Sequence, residues 1–120
     1  MTKKILIVDD STTDLANLRS ILSSAGCMVI SASSGTEALA KARAEQPAAI
    51  FMDIVMPEMD GYEACRQLVA DPATKNIPVI FVSSKGDKVD KVWGQLQGAK
   101  GYIVKPARAE NVIELLSVAS

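Results

Sequence analysis

Ile5-Leu6-Ile7-Val8-Asp9-Asp10 decides the fold. Four apolar residues in an unbroken run describe a strand buried on both faces, as in a parallel sheet covered by helices. Two carboxylates follow at once, so the chain leaves the core where the strand stops. Four further runs share the pattern: Met28-Val29-Ile30, Ala49-Ile50-Phe51-Met52, Val79-Ile80-Phe81-Val82 and Tyr102-Ile103-Val104. Helical spacing fills the intervals. Leu15, Leu18, Ile21, Leu22 and Ala25 share one face; Leu39 with Ala42, and Cys65 with Leu68 and Val69, do so more weakly. Val89, Val92, Trp93 and Leu96 make a fourth apolar face, and Val112, Ile113, Leu115 and Leu116 a fifth. Ser34-x-x-Glu37 and Asp60-x-x-Glu63 read as capping boxes at the second and third helix starts. The reading is α/β, a (βα)5 doubly wound parallel sheet with right-handed crossovers and helices on both faces.

Composition removes several chemistries. The chain has 120 residues, 13 Lys+Arg, 14 Asp+Glu and no histidine. One domain over residues 1–120, with no output domain, is the expectation at this length, and about two-thirds of the unfolded surface should be buried. Without histidine there is no Ser-His-Asp or Cys-His catalysis and no imidazole ligand for zinc or haem. A net charge of -1 supplies no basic excess for phosphate backbones, so no nucleic-acid partner is expected. Cys27 and Cys65 lack CxxC spacing and read as reduced core thiols. The apolar run behind Lys3 and Lys4 is too short for a signal peptide or membrane span, so a soluble, cytoplasmic protein is expected.

The strand ends carry the chemistry. Asp9 and Asp10 follow the first strand, Asp53 the third, Ser83 and Ser84 the fourth, and Lys105-Pro106 the fifth. In an open parallel sheet these positions share the carboxyl edge, where such folds bind ligands. Taken singly, Asp9-Asp10 reads as a solvated acidic turn, Ser83 as a turn hydroxyl and Lys105 as a loop lysine. Asp53 is the odd one, since a charge directly after a buried strand is costly. Together they describe a site for a hard cation and a phosphoryl group. Carboxylates suit Mg2+, a neighbouring carboxylate can attack phosphorus, and an amine and a hydroxyl can neutralise and orient the transferred group. Crowded carboxylates should repel and raise the pKa of at least one of them.

Four motifs then resemble the response-regulator receiver domain of two-component signalling, the CheY-like family, along the whole chain. They are ILIVDD ending at Asp10, MDIVMPEMDG from Met52 to Gly61, FVSS from Phe81 to Ser84, and YIVKP from Tyr102 to Pro106. The resemblance implies strand order 2-1-3-4-5. It implies Asp53 as phosphoacceptor, with Mg2+ held by Asp10, Asp53 and the Val55 backbone carbonyl, and by Asp9 through water. Lys105 would pair with a phosphate oxygen and Pro106 would follow a cis peptide bond. Ser83 and Tyr102 would form the switch pair. The expected partners are a CheA-like sensor histidine kinase and a protein docking on the face of helix 4, strand 5 and helix 5. Lys88, Lys91, Trp93, Lys100 and Tyr102 are the candidate contacts on a monomer or a phosphorylation-dependent dimer. Asp87 to Pro106, with Trp93-Gly94 its least generic feature, further resembles the PilH-type regulators of type IV pilus twitching motility.

Departures and rivals bound this reading. Serine at 83 lacks the methyl group of the commoner threonine, Ser84 replaces a smaller residue, and Arg108 stands where a small polar cap is usual. Val55 and Lys85 occupy positions that tune phosphate lifetime in the family. A haloacid-dehalogenase-like phosphatase needs a DxD pattern that Asp9-Asp10-Ser11 does not supply. A flavin carrier of the same topology needs glycine in a phosphate loop, and Ser11-Thr12-Thr13-Asp14 has none. A phosphate sink of the same fold stays open. Beyond its own phosphorylation and dephosphorylation, no enzyme activity is expected.

Overall fold

Each apolar run of the sequence becomes a strand in the computed structural model, which describes residues 2–119. Among these residues the chain alternates β1 (Lys4–Val8), α1 (Thr12–Ser24), β2 (Met28–Ala32), α2 (Gly35–Glu45), β3 (Ala49–Met52), α3 (Gly61–Ala70), β4 (Val79–Ser83), α4 (Lys88–Leu96), β5 (Gly101–Val104) and α5 (Ala109–Ala119). All five strands are parallel, in order β2-β1-β3-β4-β5, as expected. Side chains alternate across the sheet. Leu6, Val8, Ile50, Met52 and Phe81 face the layer that holds α2 and α3. Ile5, Ile7, Phe51, Ile80 and Val82 face α1 and α5 through Leu18, Leu22, Val112 and Leu116. Both faces of β1, β3 and β4 are thus dry.

Register then fixes what meets at the edge. Val8 lies opposite Met52, so Asp9 and Asp53 leave the sheet side by side, and the Asp53 amide donates to the Val8 carbonyl at 2.9 Å. Ser83 lies opposite Val104, and the Lys105 amide donates to the Ser83 carbonyl at 2.9 Å. Three helix starts are set by side chains. Ser11 Oγ accepts from the Asp14 amide, Ser34 Oγ from the Glu37 amide and Asp60 Oδ1 from the Glu63 amide. Glu37 reaches back to the Ser33 amide at 2.8 Å, one residue earlier than a regular capping box would place it. Cys27 and Cys65 are unpaired; burial pushes the Cys65 thiol up to about 11, so it is inert near neutral pH.

The fourth apolar face is not covered. Val89, Val92, Trp93 and Leu96 stand 77%, 48%, 47% and 70% exposed. Gly94 points inward instead. A Cβ there would meet Phe81 Cδ2 at 3.0 Å, so α4 settles on the sheet by its bare turn and carries its large side chains outside. The helix glycine is the packing residue. Trp93 covers the rim, edge-on to Tyr62 with ring centroids 6.4 Å apart.

Substitutions at the two neighbours should therefore rank against size. Gly94→Val forces a branched side chain onto Phe81 and should cost about 1–3 kcal/mol in urea unfolding. Trp93→Ala, which removes an already half-wet ring, should cost less than Gly94→Val. A larger loss for Trp93→Ala would mean that α4 packs by its tryptophan.

Candidate functional site

The carboxyl edge of the sheet gathers the acids that the sequence singled out. Carboxylate oxygens of Asp9, Asp10 and Asp53 all lie within 4.8 Å of one another. Asp9 and Asp53 are buried, and Asp10 is exposed. Asp9 is fully committed: Oδ1 accepts from the Ser11 amide at 2.9 Å and Oδ2 from Lys105 Nζ at 2.9 Å. Asp53 Oδ1 accepts from the Ile54 amide at 2.8 Å, while Oδ2 faces Lys105 Nζ at 3.4 Å. An all-oxygen donor set of this kind, without thiolate or imidazole, fits a hard divalent cation such as Mg2+.

The electrostatics centre on one ammonium. Burial alone would lower the pKa of Lys105; bonds to Asp14 and Asp9, with the charge of Asp53, raise it well above the ordinary lysine value. Asp9 is raised, chiefly by burial and further by the charge of Asp53, against the pull of Lys105 and the Ser11 amide. Repulsion among the acids is therefore present, but desolvation outweighs it. The peptide bond between Lys105 and Pro106 is cis.

Ser83 is buried at the end of β4, and its Oγ accepts from the Lys85 amide at 3.3 Å. The carbonyl of the same Lys85 accepts from the Tyr102 hydroxyl. Tyr102 lies edge-on to Phe81, centroids 6.2 Å apart, and burial, with Tyr62 and Asp90 nearby, pushes its phenol up to about 12. The backbone of one residue, Lys85, thus touches both members of the proposed switch pair. The surface candidates fall into two groups. Lys91, Lys100 and Tyr102 line a cleft between α4 and β5, whereas Lys88 and Trp93 border the apolar stripe on the outside of α4.

Three contributors were missed in the sequence. Asp14 Oδ2 pairs with Lys105 Nζ at 2.8 Å, and Asn17 Nδ2 donates to the Ala107 carbonyl at 3.0 Å. An acid in the first turn of a helix reads as a partner for the helix dipole, and nothing in spacing ties it to a lysine 91 residues away. Gly61 is the third. Its amide donates to the Ile54 carbonyl at 2.8 Å, and a Cβ there would lie 2.3 Å from the Asp53 carbonyl oxygen. The start of α3 is thus pressed against the backbone that aims Asp53.

A doubly wound parallel sheet with three clustered acids and one lysine at its carboxyl edge is the arrangement of a receiver-type signalling domain. Accordingly, the chain belongs to the response regulator receiver domain family, whose model matches residues 5–117. Members of that family are regulators rather than classical enzymes, receive phosphate from histidine kinases and bind Mg2+ in the active site. Among individual proteins, the chain is 44% identical to PilH of Pseudomonas aeruginosa over 114 residues, which is 95% of this chain and 94% of PilH. It superposes on the chemotaxis regulator CheY4 of Vibrio cholerae with a TM-score of 0.92 at 31% identity, covering 100% of both chains. The receiver domain of the sensor histidine kinase PA1611 of P. aeruginosa, seen with magnesium coordinated in its active-site cleft, matches with a TM-score of 0.90 at 25% identity, covering 98% of this chain and 97% of that one. Among the described residues no helix is long and apolar enough to cross a membrane.

Two substitutions, one in the loop between β3 and α3 and one at the first residue of α3, should move stability in opposite directions. Gly61→Ala drives a methyl group into the Asp53 backbone, and should lose about 2 kcal/mol in urea unfolding and weaken Mg2+ binding. Glu58 holds a φ of 67° that disfavours a side chain, so Glu58→Gly should gain up to about 1 kcal/mol. Unchanged Mg2+ affinity in a folded Gly61→Ala would separate that glycine from the site.

Proposed function

We propose that the protein is a cytoplasmic response regulator of a chemotaxis-type phosphorelay, with Asp53 as its phosphoacceptor. The observation that carries this is the position of Asp53, one residue past a buried strand, between the Asp9–Asp10 pair and Lys105. In the reaction the P–N bond of a kinase phosphohistidine breaks and a P–O bond forms to Asp53 Oδ2, the electron pair of the broken bond leaving with the imidazole. Oδ1 stays tied to the Ile54 amide, which holds the carboxylate plane while Oδ2 attacks. Asp10, Asp53 and the Val55 carbonyl would hold Mg2+ directly and Asp9 through water, since both Asp9 oxygens are already engaged. The cation, when bound, neutralises charge on the transferring phosphoryl group.

Lys105 supplies the protein's own positive charge, and Ser83 the hydroxyl that reports the modification. When Ser83 turns toward the phosphoryl group it releases the Lys85 amide. The segment that also anchors the Tyr102 hydroxyl is then free to shift, and α4 with it. Output would follow as docking of a protein partner on α4, β5 and α5, by a monomer or a phosphorylation-dependent dimer. The likeness to PilH supports a place in pilus-driven motility. A phosphate sink would take the same modification and leave that surface unchanged.

Incubation with Mg2+ and a small acyl phosphate should add one phosphoryl group by intact mass, and none to Asp53→Asn. Folded wild type that stays unmodified refutes the reading. Ser83→Ala should still be modified, but should lose the change in Trp93 fluorescence that phosphorylation brings in the wild type. An equal change in both proteins would remove Ser83 from the coupling.

A further inference from the structure

Lys105 has three N–H donors, and three carboxylates face them: Asp14 at 2.8 Å, Asp9 at 2.9 Å and Asp53 at 3.4 Å. The contact with Asp14 is built in. Ser11 Oγ caps the Asp14 amide at 3.2 Å, which fixes that turn of α1, and Asn17 one turn later holds the Ala107 carbonyl. Asp14 and Asn17 together clasp the segment from Lys105 to Ala107. The three partners differ in what their release would cost. The Asp9 side chain is 1% exposed and that of Asp14 is 39% exposed. Stripping Lys105 from Asp9 leaves a buried, uncompensated charge, whereas Asp14 regains water.

We propose that Asp14 is a positioning residue that holds the Lys105 ammonium on the α1 side in the unphosphorylated protein, and is the partner displaced when a phosphoryl group on Asp53 claims that ammonium. This rests on the reading of Asp53 as phosphoacceptor. Phosphorylation makes Asp53 Oδ2 an ester oxygen and frees the Lys105 donor that faced it, and any further draw of Lys105 off the α1 side toward the phosphoryl oxygens comes at the expense of Asp14. Asp14 therefore competes with them directly, and its negative charge also opposes an incoming anion. The same charge favours a cation in the acidic cluster. Asp14 should thus act with opposite sign on the two ions that the site handles.

The experiment compares wild type, Asp14→Ala and Asp14→Glu. Mg2+ affinity is measured alone by calorimetry. Beryllofluoride affinity, as a phosphoryl mimic, and the rate of labelling by a small acyl phosphate are measured at saturating Mg2+. Asp14→Ala should weaken Mg2+ about threefold, and tighten beryllofluoride and speed labelling by about the same factor, as expected for one unit charge several ångströms away near the surface. Asp14→Glu should stay close to wild type on all three. A purely structural role moves thermal stability and shifts both ions the same way or not at all, and either result overturns the proposal. So does Asp14→Glu behaving like Asp14→Ala. If wild type neither labels nor binds beryllofluoride, the phosphoacceptor reading itself has failed; if it does both and Asp14→Ala matches it throughout, only Asp14 is removed.

Discussion

One ammonium has to serve an acidic edge that the fold cannot avoid making. Strands β1 and β3 are dry on both faces, so the first residues past them are the first that can carry charge. Parallel register brings those residues, Asp9 and Asp53, next to each other. Two carboxylates leaving a low-dielectric sheet side by side need a counter-charge close by. Within the structure Lys105 supplies it, drawn in from the end of β5 by bonds to Asp9 and Asp14. Stability and reactivity depend on the same group. It compensates the acids in the site as it stands, and under the proposed function it must also be available to a phosphoryl group.

Backbone contacts hold that arrangement in place. Gly61 lets the start of α3 lie on the Asp53 carbonyl, and Gly94 lets α4 lie on the Phe81 ring. Phe81 in turn meets Tyr62 from α3 and Tyr102 from β5, both nearly edge-on. An aromatic cluster thus joins the helix that begins beside Asp53 to the helix that presents Trp93. Rings in edge-to-face contact repack in discrete arrangements more readily than they deform, which suits a two-state response.

The fold was legible because its determinants are local. Continuous apolar runs, caps such as Ser34 and Asp60, and an acid or hydroxyl straight after each of three strands are all visible in single segments. The acidic cluster was legible because strand ends in a parallel sheet converge by topology alone. Asp14 and Asn17 were not, since their partners lie 91 and 90 residues away on another loop. The exposure of the α4 face was not legible for a related reason. Periodicity shows which residues share a side, and whether that side is covered depends on what lies opposite. Here Phe81 fills the space beneath the helix, and only a glycine turn fits over it.

That inversion bears on which element can move. A helix held by a buried apolar stripe pays for displacement with every side chain it exposes. In α4 the large apolar residues are already in water, and the N-cap, Asp87, makes no side-chain bond to the first turn. Little burial is lost if the helix shifts, so its local free energy lies at the low end for this fold. The small event proposed at Ser83, one hydrogen bond exchanged at the Lys85 amide, is then commensurate with a change at α4. The same event would be far too weak to move α1 or α3, whose Leu18, Leu22, Cys65 and Leu68 are buried against the sheet. Coupling can be selective because the elements are unequally held, and α4 is the one held least.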